Sequence, residues 1–355
     1  MPDRLSRLLA SRPWLLADGA TGTNYFAMGL ETGDAPELWN VAFPERVSAL
    51  HEAFVKAGAD ILLTNSFGGT RHRLKLHKAE GRVAEINRAA AGLARAAADA
   101  ADREIVVAGS IGPTGEILAP IGPLAPEEAA ATFAEQAAAL AEGGADLLWI
   151  ETMSSVEELD AAVAGAAATG LPLAATMSFD THGRTMMGVT PAQVARLVHG
   201  LSPRPVAYGS NCGIGPAELL AAIVNLRAAA EPDDVLIAKS NCGIPEYVEG
   251  EIVYSGTPEL MADYARLALD AGVRIVGGCC GTTPEHIRVM RAALESHTPG
   301  AAPSLEQIVA RLGPITTGAE QQGLLGGRPG AERVGRGRRG GRRRAKADGG
   351  KTPRF

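Results

Sequence analysis

The sequence predicts an α/β protein, a (β/α)8 TIM barrel followed by a disordered basic C-terminal tail. Eight short apolar runs recur along the chain, and stretches with the composition and spacing of helices separate them. Strands that are apolar throughout, without alternation, are typical of a parallel sheet covered on both faces. The runs begin about 37 residues apart on average, which suits the βα units of a barrel.

An open, doubly wound sheet is the alternative. It is less well supported, because no Gly-x-Gly-x-x-Gly turn follows a strand and eight units exceed its usual six strands. The predicted strands lie, in order, at 14–19, 59–67, 104–111, 145–152, 171–178, 205–212, 235–242 and 273–280. Predicted helices lie at 44–58, 79–101, 126–144, 155–168, 216–230, 258–272 and 284–296. Several of them begin with proline and end at glycine, as helix ends prefer.

The composition is that of a soluble globular protein. No apolar run reaches the ~18 residues of a membrane span, and no apolar core of a signal peptide follows the first residues. We therefore expect a cytoplasmic protein with no membrane partner, and the sequence leaves its oligomeric state open. The 4 cysteines are too few for a disulfide framework in 355 residues. In a reducing compartment, clustered cysteines more often serve metal binding or catalysis.

We expect three segments: a catalytic barrel domain at 1–300, an extension at 301–327 and a disordered tail at 328–355. The tail has eleven basic residues against two acidic ones, whereas the rest of the chain has 23 basic against 38 acidic. A Gly-rich segment of like charges repels itself and should be disordered. The tail either aids solubility or weakly binds RNA or another anionic surface. The acidic barrel argues against nucleic acid as the main ligand.

Polar residues stand where the apolar runs end. The active sites of (β/α)8 barrels lie at the carboxyl ends of the strands, so these residues should line one mouth. They are Asp18, Asn65, Ser110, Glu151, Ser178, Asn211, Asn241 and the cysteines. Glycines next to several of them, as in Asp18-Gly19-Ala20, let the backbone turn tightly and approach a small ligand.

All four cysteines fall at the ends of the last three predicted strands. Cys279 and Cys280 are adjacent and can reach one ion together with Cys212. Three thiolates suit a tetrahedral Zn²⁺ whose fourth position is open for a substrate. The alternative, that a cysteine simply fills the core, is the preferred explanation for Cys242 alone.

A zinc ion held by three cysteines favours alkyl transfer onto sulfur. The three thiolates leave excess negative charge at the ion, so an incoming thiol becomes a nucleophilic, metal-held thiolate. Hydrolysis is the expected use of a site rich in histidine, and none of the 7 histidines lies in a strand-end motif.

Over about residues 10–297 the sequence resembles the homocysteine S-methyltransferase family. The matching motifs are Asp18-Gly-Ala-Thr-Gly-Thr, Thr64-Asn-Ser-Phe, Gly109-Ser-Ile-Gly-Pro, Glu151-Thr, Gly209-Ser-Asn-Cys-Gly-Ile-Gly-Pro and Gly277-Gly-Cys-Cys-Gly-Thr-Thr-Pro. The family includes betaine-homocysteine methyltransferase and the homocysteine module of cobalamin-dependent methionine synthase. Asn241-Cys-Gly departs from the expected Asn-Ala-Gly, so Cys242 is either a spectator or an extra ligand when substrate is absent.

The resemblance implies a role for each strand-end residue. Zinc would be bound by Cys212, Cys279 and Cys280, which activate the homocysteine thiol. Asp18 and Glu151 would hold the substrate ammonium, whose charge relieves the repulsion between them, and the backbone at Gly19 and Ala20 would receive its carboxylate. A turn-capping Asp and a helix-capping Glu are the alternative. Two further substrate-binding candidates at strand ends are Asn65 and Ser110.

The methyl donor is the least determined part of the prediction. A barrel without folate and cobalamin modules suggests a small methylated onium donor: glycine betaine is favoured, and S-methylmethionine or dimethylsulfoniopropionate are the alternatives. Tyr25, Trp39 and Phe67 are candidates for an aromatic cage around the onium group, or are ordinary packing residues. The chain could instead be the homocysteine-activating subunit of a split cobalamin-dependent methionine synthase, or a non-enzymatic zinc- or RNA-binding protein.

Overall fold

A computed structural model of the protein describes residues 3–180, 182–243, 245–248 and 251–315. The predicted tail at 328–355 and the later part of the extension lie outside these residues, so the predictions made for them stay predictions. None of the helices in the described part of the chain combines the length and the hydropathy that a bilayer-spanning segment needs.

Eight parallel strands form the central sheet, and two further strands form a separate antiparallel hairpin. The strands of the described residues are Leu15–Leu16 (β1), Ile61–Leu63 (β2), Val106–Ile111 (β3), Leu147–Met153 (β4), Leu173–Met177 (β5), Ala207–Cys212 (β6), Leu236–Ser240 (β7), Pro245–Val248 (β8), Glu251–Tyr254 (β9) and Ile275–Gly278 (β10). All eight predicted strands are confirmed. The β8–β9 hairpin is an insertion that the sequence analysis did not predict.

The sheet closes on itself. The strand order is β1-β10-β7-β6-β5-β4-β3-β2, and an isolated parallel bridge joins Ala17 to Ile61 across the remaining gap. Two backbone hydrogen bonds complete this seam: Asp18 N–H donates to the Ile61 oxygen (3.0 Å), and Asp60 N–H donates to the Leu16 oxygen (2.6 Å). The fold is therefore the predicted (β/α)8 barrel, and the carboxyl ends of all eight strands meet at one mouth.

Helices surround the barrel and cover the amino-terminal end of its strands. They are Arg4–Ser11 (α1), Gly22–Ala27 (α2), Trp39–Ala42 (α3), Pro44–Ala57 (α4), Arg71–Lys75 (α5), Val83–Asp99 (α6), Pro126–Glu142 (α7), Val156–Ala167 (α8), Pro191–Gly200 (α9), Pro216–Ala229 (α10), Pro258–Asp270 (α11), Pro284–Glu295 (α12) and Leu305–Leu312 (α13). The seven helices predicted between strands are confirmed. Helix α9 was not predicted, although Thr190 and Gln193 form a capping box that marks its start.

The core has two main layers. One cluster fills the barrel interior with strand residues such as Ile61, Trp149 and Ile237, and Leu5 and Leu8 of α1 pack against it from the amino-terminal end. The larger cluster lies between the sheet and the outer helices. Ile308 and Leu312 of α13 belong to this second cluster. The first part of the predicted extension therefore packs onto the barrel.

Candidate active site

A cavity of about 400 Å³ opens at the carboxyl ends of the barrel strands. Its walls come from the loop after β1 and from the ends of β2, β3, β4, β6, β7 and β10. This is the end of a (β/α)8 barrel where active sites lie, because the loops there bring residues from several strands together.

Three of the four cysteines converge at this cavity. The Sγ atoms of Cys212, Cys279 and Cys280 all lie within 4.8 Å of one another. Cys212 ends β6, the two others directly follow β10, and β7 lies between these strands. The end of β7 also positions the paired cysteines: Cys280 N–H donates to Asn241 Oδ1 (3.1 Å). The cluster has the number and proximity of ligands needed for one metal ion.

The backbone adopts the left-handed conformation at two of the strand ends. The φ angle is 63° at both Thr152 and Cys212. This region is strongly disfavoured for a β-branched residue such as threonine. Asn211 compensates: its Oδ1 accepts from Thr152 N–H (2.8 Å), and its Nδ2 donates to Thr152 Oγ1 (2.7 Å). Strain that neighbouring hydrogen bonds hold in place is common where side chains must meet a ligand.

The three thiols resist ionisation as a group. Hydrogen bonds among the thiols lower and raise the pKa values in turn, and burial and repulsion between neighbouring thiolates add to the rise, so the pKa of Cys212 is raised to about 12 and that of Cys280 to about 12. The pKa of Cys279 is raised for the same reasons. A divalent cation reverses this balance, because it stabilises three thiolates at once. The donor set therefore fits a thiophilic metal ion.

Cys242 lies outside this cluster. Its thiol is 1% exposed, donates to the Gly256 carbonyl oxygen (3.1 Å) and lies 3.1 Å from His286 Nε2. Burial raises its pKa to about 12. These contacts favour the interpretation of Cys242 as a packing residue behind the site.

Two buried carboxylates and a buried lysine complete the polar part of the site. Glu151 lines the cavity, and its Oε1 accepts from the Ser110 hydroxyl (2.5 Å). Asp18, which is 1% exposed, is not among the described residues that line the cavity. Its Oδ2 accepts from Leu63 N–H (2.8 Å) and its Oδ1 from Lys239 Nζ (3.2 Å). The two carboxylates thus differ: one faces the cavity, and the other lies beneath a lysine.

Burial and charge act in opposite directions on these groups. Burial raises the pKa of Asp18 and of Glu151, and the charge of Lys239 partly offsets that rise. Burial by itself would lower the pKa of Lys239. The nearby carboxylates and the thiol of Cys279 outweigh burial, so the pKa of this lysine is raised and its ammonium stays charged.

Comparison with known proteins identifies the family. The model of a family described as Homocysteine S-methyltransferase matches residues 15–294, which is most of the chain and includes the three clustered cysteines. The chain belongs to the homocysteine S-methyltransferase family. The resemblance seen in the sequence is therefore confirmed, and so is the enzyme class, a homocysteine S-methyltransferase.

Solved structures and curated sequences agree with this family. The structure of the homocysteine methyltransferase MmuM from Escherichia coli in its metallated form is 27% identical, has a TM-score of 0.69, and covers 82% of this chain and 99% of that one. Its oxidized form is 29% identical, with a TM-score of 0.68. A methionine synthase of Mycobacterium tuberculosis is 30% identical over 79% of this chain and 24% of its own length. One of Mycobacterium leprae is 29% identical over 83% and 25%. The chain thus spans about a quarter of the length of these methionine synthases.

The structure separates the three aromatic residues that were predicted to form a cage. Phe67 lines the cavity, as the sequence suggested, but Tyr25 and Trp39 are buried in the core with their rings 5.2 Å apart. The guanidinium of Arg46 lies 4.9 Å from the Trp39 ring centre, so that ring already has a cation beside it. The exposed aromatic of α2 is Phe26, which lines the cavity. Adjacent residues of a helix point about 100° apart, so the inward turn of Tyr25 directs Phe26 outward.

Four other predicted residues, Asn65, Ser110, Gly19 and Ala20, line the cavity of this homocysteine S-methyltransferase family member, with differing freedom to bind. Ser178, Asn211 and Asn241 are not among the described residues that line it. Asn65 lines it, but its Nδ2 donates to the Pro36 oxygen (2.7 Å) and to Asn40 Oδ1 (3.0 Å). Ser110 is also a lining residue and donates to Glu151. Gly19 and Ala20, in the loop after β1, also line the cavity, and Ala20 N–H already donates to the Thr282 oxygen (3.0 Å).

Lys239 is the main residue that sequence reasoning missed. It lies inside the apolar run of β7, where a lysine is unexpected, because lysine is almost never fully buried without a charged partner. A lone lysine within an apolar strand of the sequence therefore predicts a buried acidic partner. The partner is Asp18, more than two hundred residues away in sequence.

Proposed function

We propose that the protein transfers a methyl group from a small onium donor to the thiol of homocysteine and so forms methionine. The cysteine cluster carries this proposal, since three thiols within 4.8 Å of one another at a barrel mouth have the composition of a zinc site with an open fourth position. Cys212, Cys279 and Cys280 would hold the ion, which supplies a thiolate nucleophile at neutral pH by acidifying the bound substrate thiol.

The described side chains have clear tasks in this reaction. Glu151 faces the cavity as a carboxylate and would hold the substrate ammonium, and Ser110 and Asn211 would orient it. Asp18 would act on the same ammonium from behind Lys239. With the thiol already ionised, no side chain is needed as a general base. The substrate sulfur would attack the methyl carbon, and the bond from that carbon to the onium nitrogen or sulfur would break. The bonding electron pair would stay on that nitrogen or sulfur, which becomes a neutral centre.

Glycine betaine is the proposed donor, and a sulfonium donor is the alternative. The cavity wall presents Phe26 and Phe67, two aromatic rings suited to a methylated cation. A second candidate function is supported by the two mycobacterial methionine synthases, of which this chain spans about a quarter. In that case the chain would activate homocysteine for a methyl donor carried by another protein.

One assay panel tests the proposal. The full-length protein is loaded with Zn²⁺, its metal content is measured, and methionine formation from homocysteine is followed with betaine, S-methylmethionine and dimethylsulfoniopropionate in turn. We expect about one zinc per chain and turnover with one donor. Zinc without turnover on any of the three would favour the second candidate. Absence of bound zinc in reduced protein would overturn the proposal.

A further inference from the structure

Lys239 stands between Asp18 and the cavity. Its side chain is 3% exposed, yet the residue lines the cavity, whereas Asp18 does not. Its Nζ donates to Asp18 Oδ1 (3.2 Å) and to the Gly19 carbonyl oxygen (3.5 Å). The charge that the cavity meets at this position is therefore positive, although the strand-end motif there begins with an aspartate.

The surrounding strands leave room for this lysine. Gly277 of β10 has no side chain beside the lysine stem, and a Cβ atom there would lie 2.7 Å from Lys239 Cγ and 2.9 Å from Ala17 Cβ. The other Asp18 oxygen is held by Leu63 N–H, so the carboxylate is fixed on both sides. The ion pair is thus a built feature of the barrel interior.

Lys239 has donor capacity and charge left for a ligand. An ammonium carries three N–H donors, and the contacts with Asp18 and Gly19 use two of them. Glu151, a second carboxylate, lies close enough to raise the pKa of Lys239 and lines the same cavity. The wall therefore presents the cation of Lys239 and the carboxylate of Glu151 to whatever binds, whereas a second glutamate in the wall, Glu37, already accepts from Gly68 N–H (2.6 Å).

This pair matches the head of an amino acid. A zwitterionic amino acid carries an ammonium and a carboxylate on one carbon atom, and each charge needs a partner when it leaves water. The backbone near Gly19 and Ala20 was predicted to receive the carboxylate, but Ala20 N–H is already bonded to the Thr282 oxygen (3.0 Å). Lys239 Nζ lies beside that same peptide and supplies a charged donor there.

We propose that Lys239 is a specificity-determining residue that binds the α-carboxylate of the amino-acid substrate, while Glu151 binds the α-ammonium. This inference rests on the proposed function, because it assumes that homocysteine or methionine occupies the cavity. It differs from a positioning role, in which Lys239 would only hold Asp18 ready for the ammonium.

Calorimetry with three thioether ligands separates these roles. The zinc-loaded full-length protein is titrated with L-methionine, with 3-(methylthio)propylamine, which lacks the carboxylate, and with 4-(methylthio)butanoate, which lacks the ammonium. The variants are Lys239→Met and, as the matched control at the other charge, Glu151→Gln. Losing one charge-assisted contact should weaken binding by about ten- to a hundredfold.

The two variants should have opposite effects on the two truncated ligands, a crossed pattern. Lys239→Met should weaken methionine and the butanoate by that factor and leave the propylamine nearly unchanged, and Glu151→Gln should do the reverse. Equal weakening of methionine and the propylamine by Lys239→Met would overturn the inference, because it would mean that Lys239 acts through Asp18. If Lys239→Met leaves Asp18 uncompensated and does not fold, Asp18→Asn/Lys239→Met removes both buried charges. The butanoate, which has no ammonium for Asp18 to act on, then decides: weaker binding than to the unaltered protein supports the inference, and unchanged binding overturns it.

Failure of this inference and failure of the proposed function give different results. Methyl transfer to homocysteine is measured separately on the unaltered protein. If that protein forms methionine but the crossed pattern is absent, only the role of Lys239 is wrong. If it forms none with any donor but the crossed pattern holds, Lys239 binds a carboxylate in a protein whose methyl-transfer assignment is wrong.

Discussion

The two ends of the barrel treat buried charge differently. At the amino-terminal end, Asp60 is fully buried and accepts from Arg12 (2.6 Å), from Arg291 (3.1 Å) and from Leu16 N–H (3.0 Å). Asp234, also at that end, accepts from the Tyr208 hydroxyl at 2.6 Å and from Arg204 at 2.5 Å. At the carboxyl-terminal end, the carboxylates of Asp18 and Glu151 share the charge of Lys239, and three thiols stand side by side.

The difference shows which end is built for stability and which for binding. Asp60 and Asp234 each have cationic partners within the chain, so a ligand there would gain little. The groups at the other end lack part of their compensation among the described residues, and a metal ion together with a zwitterionic substrate would supply it. In such barrels the carboxyl-terminal face serves catalysis and the amino-terminal face serves stability. In this protein the two faces also differ in how fully their buried charges are compensated.

Loss of a metal ligand is the largest expected effect and concerns only the binding end. Cys279→Ala or Cys280→Ala should abolish zinc binding and activity, while the circular dichroism spectrum stays that of the folded barrel, since the ligands lie at the mouth. Metal analysis and the methyl-transfer assay check this. Cys242→Ala is the matched control and should keep its zinc. Full zinc content and turnover in either ligand variant would contradict the assignment.

A substitution at the amino-terminal end should lower stability and leave ligand binding unchanged. Asp60→Asn leaves arginines without their buried partner and should cost about 3 kcal/mol of unfolding free energy, near the lower limit for a broken buried ion pair because the arginines are partly exposed. Chemical denaturation measures the loss. Methionine affinity of the folded variant should not change. A variant that kept its stability but lost methionine binding would reverse the proposed division between the two ends.

A buried histidine gives a pH test of the whole scaffold. His51 of α4 is 2% exposed, neither of its ring nitrogens has a hydrogen-bond partner among the described residues, and burial lowers its pKa to about 4. The unfolded chain binds this proton near pH 6.5 and the folded chain only near pH 4, so falling pH favours unfolding between these values. The loss should reach about 3 kcal/mol.

Denaturation curves at several pH values check this expectation. His51→Leu should flatten the dependence of unfolding free energy on pH in that window, and His297→Gln is the comparison, because His297 already has the carboxylate of Asp270 as a partner (2.8 Å). An unaltered slope in His51→Leu would mean that other groups cause the acid sensitivity.

The smallest expected effect sharpens the comparison within the binding end itself. Asp18→Asn keeps the shape of the side chain but removes the negative charge that would attract the substrate ammonium from behind Lys239, so homocysteine should bind about tenfold more weakly while zinc affinity changes little. Kinetic KM values and a zinc competition assay measure the two quantities. Unchanged homocysteine affinity would remove Asp18 from substrate binding.

The sequence was sufficient for the barrel because each strand and most helices carry local signals. The apolar runs, helix-starting prolines and strand-end polar residues all point to the same architecture. The cysteine cluster was equally predictable, since Cys212, Cys279 and Cys280 lie at the ends of predicted strands, and parallel strands bring their carboxyl ends together.

The missed features depend on contacts between distant parts of the chain. Nothing near Lys239 in sequence reveals that Asp18 is its partner. Similarly, the inward turn of Tyr25 depends on the short helix α2 and on how it packs against Trp39. The β8–β9 hairpin lies between β7 and helix α11, where no strand or helix was predicted, and short antiparallel pairs have weak local signals.

The seam of the barrel has a consequence for how the protein is made. Leu15 of β1 pairs with Ile275 of β10, so the first strand cannot complete its pairing until the last strand has been synthesised. Two of the three proposed sulfur ligands lie just beyond that last strand. The proposed metal site of a nascent chain would therefore be complete only when the ring of strands is nearly complete, so a chain with bound metal would be one whose synthesis and barrel closure are nearly finished.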